Sequence, residues 1–200
     1  MPPMLRAALR FAIPSVLTLT LAAPALAQGG GAPAALRVAP SGRATTAVEL
    51  AAPRAEGQPR SAPLRVAIDY GQPHARGRKV VGGLIPADGV WRTGANAATT
   101  LTTDVDLMIG GTRVPKGGYT LFTVAGPGGS KLIINKQTGQ WGTEYKPDQD
   151  LARVDLTART LREPVESFTI WLVPDAQGAS GTLRMAWGER ELSAPWRVAQ

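Results

Sequence analysis

The sequence predicts an antiparallel β-sandwich of about eight short strands, and three observations carry that prediction. Apolar residues recur with a period of two along most of the chain, as on half-buried strands. Gly 23 and Pro 17 in 200 residues supply turns at close intervals. No stretch holds a sustained apolar period of 3.6; residues 150–161 come nearest, and Val154, Thr157 and Thr160 weaken the helix there. A hydrophobic content of 44% is enough for one packed core.

The elements follow in order. Arg6 and Arg10 precede the apolar run Phe11–Ala23, and Ala25-Leu26-Ala27 is the small-x-small pattern read by signal peptidase. Residues 1–27 are therefore expected to be a signal peptide cut after Ala27, giving a periplasmic or secreted protein. No Cys follows to carry a lipid anchor, and the run is too short to span a bilayer. Residues 28–63 hold five prolines (Pro33, Pro40, Pro53, Pro59, Pro63) and no aromatic residue, so a disordered Ala/Gly/Pro-rich spacer is expected. Residues 64–200 are expected to form a single β-domain.

Within that domain Leu64, Val66 and Ile68 alternate with polar or small residues, and Thr99–Ile109 repeats the pattern. Tyr119–Val124 and Leu132–Ile134 flank Gly126-Pro127-Gly128-Gly129, a hairpin signal. Leu151–Thr157, Ser167–Val173, Thr182–Trp187 and Glu191–Val198 complete the set. Trp171 alternates with Phe168, Ile170 and Leu172, which places it on the opposite sheet face.

Charge and composition exclude several functions. Of the formal +7, Arg6 and Arg10 belong to the leader and a surplus of two arginines to residues 28–63, leaving +3 for Leu64–Gln200. That balance argues against nucleic-acid binding. With no Cys, thiolate chemistry is excluded, and a single His, His74, rules out multi-histidine metal sites. No cofactor is expected.

Two polar stretches stand out. Trp91-Arg92-Thr93-Gly94-Ala95-Asn96 sets an indole, a guanidinium, a hydroxyl and an amide around one glycine. Arg92 suits a carboxylate or phosphate, Asn96 both donates and accepts, and Trp91 offers a stacking face. Asn135-Lys136-Gln137-Thr138-Gly139-Gln140-Trp141-Gly142 offers Asn135 and Trp141, the indole suited to a sugar or peptide. Each stretch has a structural alternative, the first as polar glue for a β-connection and the second with Trp141 capping the core.

Those two stretches also carry a resemblance. Tyr70-Gly71-Gln72-Pro73 leading to Gly77-Arg78, Gly110-Gly111 to Val114-Pro115, Gly118–Phe122, Arg153-Val154 and Pro164–Ile170 join them in order. The span Leu64–Leu172 resembles the bacterial domain of unknown function 2911. The resemblance implies an exported β-sandwich and brings no established reaction. Family members often carry Glu between the Asn and the Ala-Thr; here that position is Ala97, so a carboxylate role is lost.

The candidate ligand residues are Trp91, Arg92, Thr93, Asn96, Asn135, Trp141 and Arg78, expected to share a polar cleft. No catalytic or metal residue is assigned. His74 reads as an exposed loop histidine, because no Gly-x-Ser-x-Gly elbow accompanies it. Asp104 and Asp106, two apart on one expected strand, would share a face; Asp148 and Asp150 read as turn and cap residues. The 126–131 segment joins strand to strand, with no helix to bind a phosphate. The leading expectation is an exported binder of a small polar ligand or envelope component. The alternatives are an envelope hydrolase, whose paired acids the sequence does not single out, and a purely structural or protein-interaction module.

Overall fold

The computed structural model describes residues 36–52, 54, 56, 57, 59, 61–126 and 129–200. The expected leader, residues 1–27, lies outside them. Among the described residues ten strands build the fold: β1 (Ser41–Leu50), β2 (Leu64–Pro73), β3 (Gly89–Trp91), β4 (Thr99–Thr103), β5 (Leu107–Ile109), β6 (Thr112–Val114), β7 (Gly117–Gly126), β8 (Gly129–Asn135), β9 (Asp150–Pro174) and β10 (Ser180–Val198). A 3-10 turn, Pro147–Gln149, precedes β9. Among the described residues no helix is long and apolar enough to cross a membrane.

Neighbours run β1-β2-β4-β7-β8-β9-β10-β5-β6, with β3 beside β7, and every strand pair is antiparallel. The all-β antiparallel class is as expected. The 25-residue β9 is the hinge of the architecture. Its first part, Asp150–Leu156, pairs with β8, and its later part, Thr157–Pro174, pairs with β10. One strand thus passes from the layer of β1, β2, β4, β7 and β8 into the layer of β10, β5 and β6.

The inward faces of both layers meet in one apolar cluster. Ile68, Leu101, Leu121, Leu132 and Ile134 come from the first layer; Leu107, Ile170, Leu183, Met185 and Trp196 come from the second. Full burial of such side chains contributes about 1.5–3 kcal/mol each. At one end Phe168 meets Tyr70 edge-on at 5.6 Å and Trp91 edge-on at 5.0 Å, while Trp91 stacks on Trp187 at 5.9 Å. The edge of β9 facing β2 is sealed by side chains rather than a ladder. Tyr70 accepts a hydrogen bond from the Ile170 N–H at 3.1 Å, and Gln72 Nε2 donates to the Phe168 carbonyl at 3.1 Å. Otherwise these backbone groups would be buried unpaired. Glu191 is the one buried acid among the described residues. Burial pushes its carboxyl up, but hydrogen bonds from Arg184 and Arg159 more than reverse that and hold it below its ordinary range.

Three expectations are corrected. Ser41–Leu50, expected to be part of a disordered spacer, is a strand in ten-residue register with β2. Its Ala44, Val48 and Leu50 pack against the core while Arg43, Thr45 and Glu49 face out, so period-two burial offsets the ordering entropy. Thr99–Ile109 is two strands, β4 and β5, which the turn at Asp104–Asp106 sends to different layers. Asp104 and Asp106 therefore share no strand face. Asp104 accepts the Arg65 N–H, and Asp106 accepts the Lys116 N–H and Arg113. The four expected strands of the C-terminal third merge into two, because β9 and β10 stay paired through register shifts around Gly188.

Removing β1 tests the first correction. A chain starting at Ser61 is expected to melt at least about 5 °C below one starting at Val38, since the apolar side of β1 and its ladder are lost. Equal midpoints would show that the strand contributes nothing.

Candidate functional site

The first polar stretch is a tight turn between β3 and β4, and much of it serves the fold. Trp91 belongs to the aromatic cluster just described. Thr93 is fully buried at φ 51°, its hydroxyl 2.6 Å from that of Thr123 and its carbonyl accepting from Thr99 Oγ1 at 2.7 Å. Gly94 is required: a Cβ there would meet Thr99 Oγ1 at 2.8 Å and the Gly71 carbonyl at 2.9 Å. Ala95 donates its N–H to that same carbonyl at 3.1 Å, which seats the turn on β2. Asn96, at φ 62°, is exposed, and its Nδ2 donates to the Ser41 carbonyl at 3.1 Å. The turn is therefore tied to β1, β2, β4 and β7.

The second stretch begins where β8 ends and folds back over the outer face of β7 and β8. Asn135 is fully buried at its root. Its Nδ2 donates to the Lys146 carbonyl at 2.8 Å and to Asp150 Oδ1 at 2.9 Å, while its Oδ1 accepts the Gln137 N–H at 2.9 Å. Asp150 Oδ2 in turn accepts from the Tyr145 hydroxyl at 2.7 Å and Arg153 Nε at 3.0 Å. Burial, followed by the Asp150 carboxylate, raises the Tyr145 phenol above its usual value, so it remains a donor at neutral pH. Tyr145 lies over Phe122 at 4.9 Å, and Phe122 and its cross-strand partner Ile133, which face away from the central core, are buried. Thr120 Oγ1 donates to the Gln137 carbonyl at 2.7 Å and receives Gln140 Nε2 at 3.1 Å.

The two stretches meet. Ala98 N–H donates to the Gln140 carbonyl at 3.3 Å, Gly142 N–H donates to the Asn96 carbonyl at 3.0 Å, and Ala97 and Trp141 form a bridge pair. Gly142 permits the contact, because a Cβ there would lie 2.6 Å from the Asn96 carbonyl oxygen and 2.8 Å from Arg92 Cδ. The alkyl part of Arg92 thus fills the space over Gly142, and the junction is a ledge rather than a cleft. Two groups remain at its surface for a ligand. Trp141 is 51% exposed, and the half-buried Arg92 makes no hydrogen bond or ion pair among the described residues.

The other candidates are placed elsewhere. Asn135 lies behind the ledge with its amide engaged on both atoms. Arg78 donates to the Ala75 carbonyl at 3.0 Å and the His74 carbonyl at 2.8 Å. It lines another cleft, of about 480 Å³, with Val80, Val165, Glu166 and Glu189. His74 is half-buried rather than exposed, its Nδ1 2.8 Å from Ser167 Oγ across an antiparallel bridge. No sequence signal marked Ser167; the pairing comes from strand register alone. Among the described residues no group of three or more His, Cys, Asp or Glu is placed to hold a metal ion.

A family model described as Protein of unknown function (DUF2911) matches residues 52–196. No curated protein and no solved structure matches the chain.

The ledge depends on the packing at Gly142 and Asn135, so Gly142→Ala and Asn135→Ala are each expected to cost about 1–3 kcal/mol, from overpacking and from unpaired buried groups respectively. Urea denaturation of both variants beside the parent measures this, and unchanged midpoints would mean that the loops are not held as described.

Proposed function

The chain belongs to the DUF2911 family, which carries no assigned activity, and we propose that it is an exported, non-catalytic binding protein for a polar ligand of the cell envelope. Export is supported by Arg6, Arg10 and the apolar run ending in Ala25-Leu26-Ala27. The observation that carries the binding reading is the ledge itself: an exposed indole, Trp141, and a guanidinium, Arg92, unengaged among the described residues, carried on adjacent, hydrogen-bonded loops.

The physical argument is one of pre-organisation. An exposed indole offers a broad apolar face at little conformational cost, and a guanidinium directs several donors outward. Both stand on backbone already fixed by Asn135, Gly142 and Thr93, so a ligand orders few side chains on arrival. Trp91, Trp187 and Trp196 pack into the core and are largely buried, whereas Trp141 is the most exposed of the five tryptophans.

Arg92→Ala and Trp141→Ala separate binding from structure. Each is expected to cost about 1 kcal/mol of stability or less, because neither side chain is fully buried, and to abolish retention of the chain on isolated cell-envelope material. The parent and both variants are compared by denaturant melt and by sedimentation with that material. Strong destabilisation with no binding by the parent would refute this function.

A further inference from the structure

The two loops do not cover the whole outer face of the first layer. Ala95 sits on Gly71 of β2, and the loop after β8 covers Ala98, just before β4, and Thr120 of β7. Beyond that cover the face of β1, β2 and β4 is open. Thr45, Arg65, Asp69, Thr100, Thr102 and Asp104 line a depression of about 490 Å³ there, with Ala67 as its floor. The hollow exists because the middle strand carries a small side chain between longer ones. Thr100 and Thr120 are cross-strand partners, and Thr120 holds Gln140, the neighbour of Trp141. The ledge therefore lies beside the depression, with the Thr100–Thr120 pair between them.

From this arrangement we infer that the chain's ligand is a neutral glycan chain lying in the β1–β2–β4 depression and stacking a ring on Trp141; the inference rests on the binding function proposed above. Charge selects the class. Arg43 is ion-paired with Asp69, and Arg65 stands beside Asp104, which its own backbone N–H holds at 2.8 Å. The lining carries one cation, Arg65, and two anions, Asp69 and Asp104, so an anion is disfavoured; both carboxylates already have partners, so a cation finds none free. A polyhydroxylated molecule gains, since each hydroxyl both donates to carboxylates and accepts from guanidinium or threonine.

Shape points the same way. The depression is open and shallow, unlike the enclosed pockets that bury most of a small ligand, and suits a chain passing through. It lacks the aromatic, apolar centre of a protein interface. Ala97, the bridge partner of Trp141, lies two residues before β4 and precedes Thr100 by about 10 Å at the rise of extended chain. A ligand touching both must be longer than one sugar ring.

The test is calorimetric titration of the full chain with chitohexaose, cellohexaose and maltohexaose, and with hexagalacturonate as the anionic probe. At least one neutral hexasaccharide is expected to bind, with its monosaccharide at least tenfold weaker. Arg65→Ala is expected to weaken binding about tenfold, as for one or two lost hydrogen bonds. Thr102→Arg, which fills the depression from an exposed position, is expected to abolish it, with the melting midpoint of both variants retained. Arg65→Ala decides the matter if Thr102→Arg does not fold. Binding lost in Trp141→Ala but untouched in both depression variants would overturn the depression and leave the ledge intact. Binding of hexagalacturonate alone would overturn the neutral class only. No binding of any probe would overturn the glycan inference, whereas envelope binding by the parent would still uphold the function.

Discussion

The buried amide of Asn135 is the constraint on which the candidate site depends. It sits in a cross-strand row of polar residues, Thr45, Asp69, Thr100, Thr120, Asn135 and Asp150, on the outer face of the first layer. On five of these strands the polar groups can reach water or a neighbour at little cost. At Asn135 the site is closed over, and an amide there is tolerable only if both its atoms are paired. The loop after β8 supplies the partners, Gln137 N–H and the Lys146 carbonyl, and is thereby folded back onto the sheet. Everything at the ledge follows from that fold-back: the burial of Phe122 and Ile133, the grip of Thr120 on Gln137 and Gln140, and the arrival of Gly142 beside Asn96.

The opposite loop is fixed by different means. Thr93, Gly94 and Asn96 adopt backbone conformations that cost energy for most residues, and the cost is offset by a partly buried aromatic anchor, Trp91, and by the hydroxyl pair Thr93–Thr123. Two loops from distant parts of the chain thus reach one edge with little freedom left. The passage of β9 between layers makes this possible, since it lets the first layer keep an outer face while the second layer closes the core behind it.

The sequence showed the class of fold and the important stretches, but not their division of labour. Period-two alternation was legible wherever large apolar residues carry it, as in β2 and β8. It was missed in β1, where Ala44 and Thr46 are small and prolines flank the strand, although Val48 and Leu50 keep the same phase. The charged segment around Arg162 and Glu163 interrupts the alternation and so read as a break in β9. In the folded chain it lies in the exposed irregularity between Thr160 and Val165, where the register with β10 shifts, and no apolar side chain is needed there. Both tryptophans of the polar stretches looked alike in sequence. Only the tertiary register buries Trp91 against Trp187 and leaves Trp141 outside. The role of Gly142 was likewise hidden, because the atoms it makes room for belong to Arg92 and Asn96, far earlier in the chain.

A pre-organised ledge differs from a merely polar surface in where a ligand registers. The direct measurement is a titration of the ¹⁵N-labelled chain with the neutral hexasaccharides, following the indole N–H resonances of its five tryptophans. Trp141 and Trp171 are the exposed pair, at 51% and 36%, and they serve as site and internal control. The account predicts that the Trp141 resonance shifts saturably while Trp171 and the buried indoles stay in place. A shift at Trp171 instead, or no saturable shift at any indole, would contradict it.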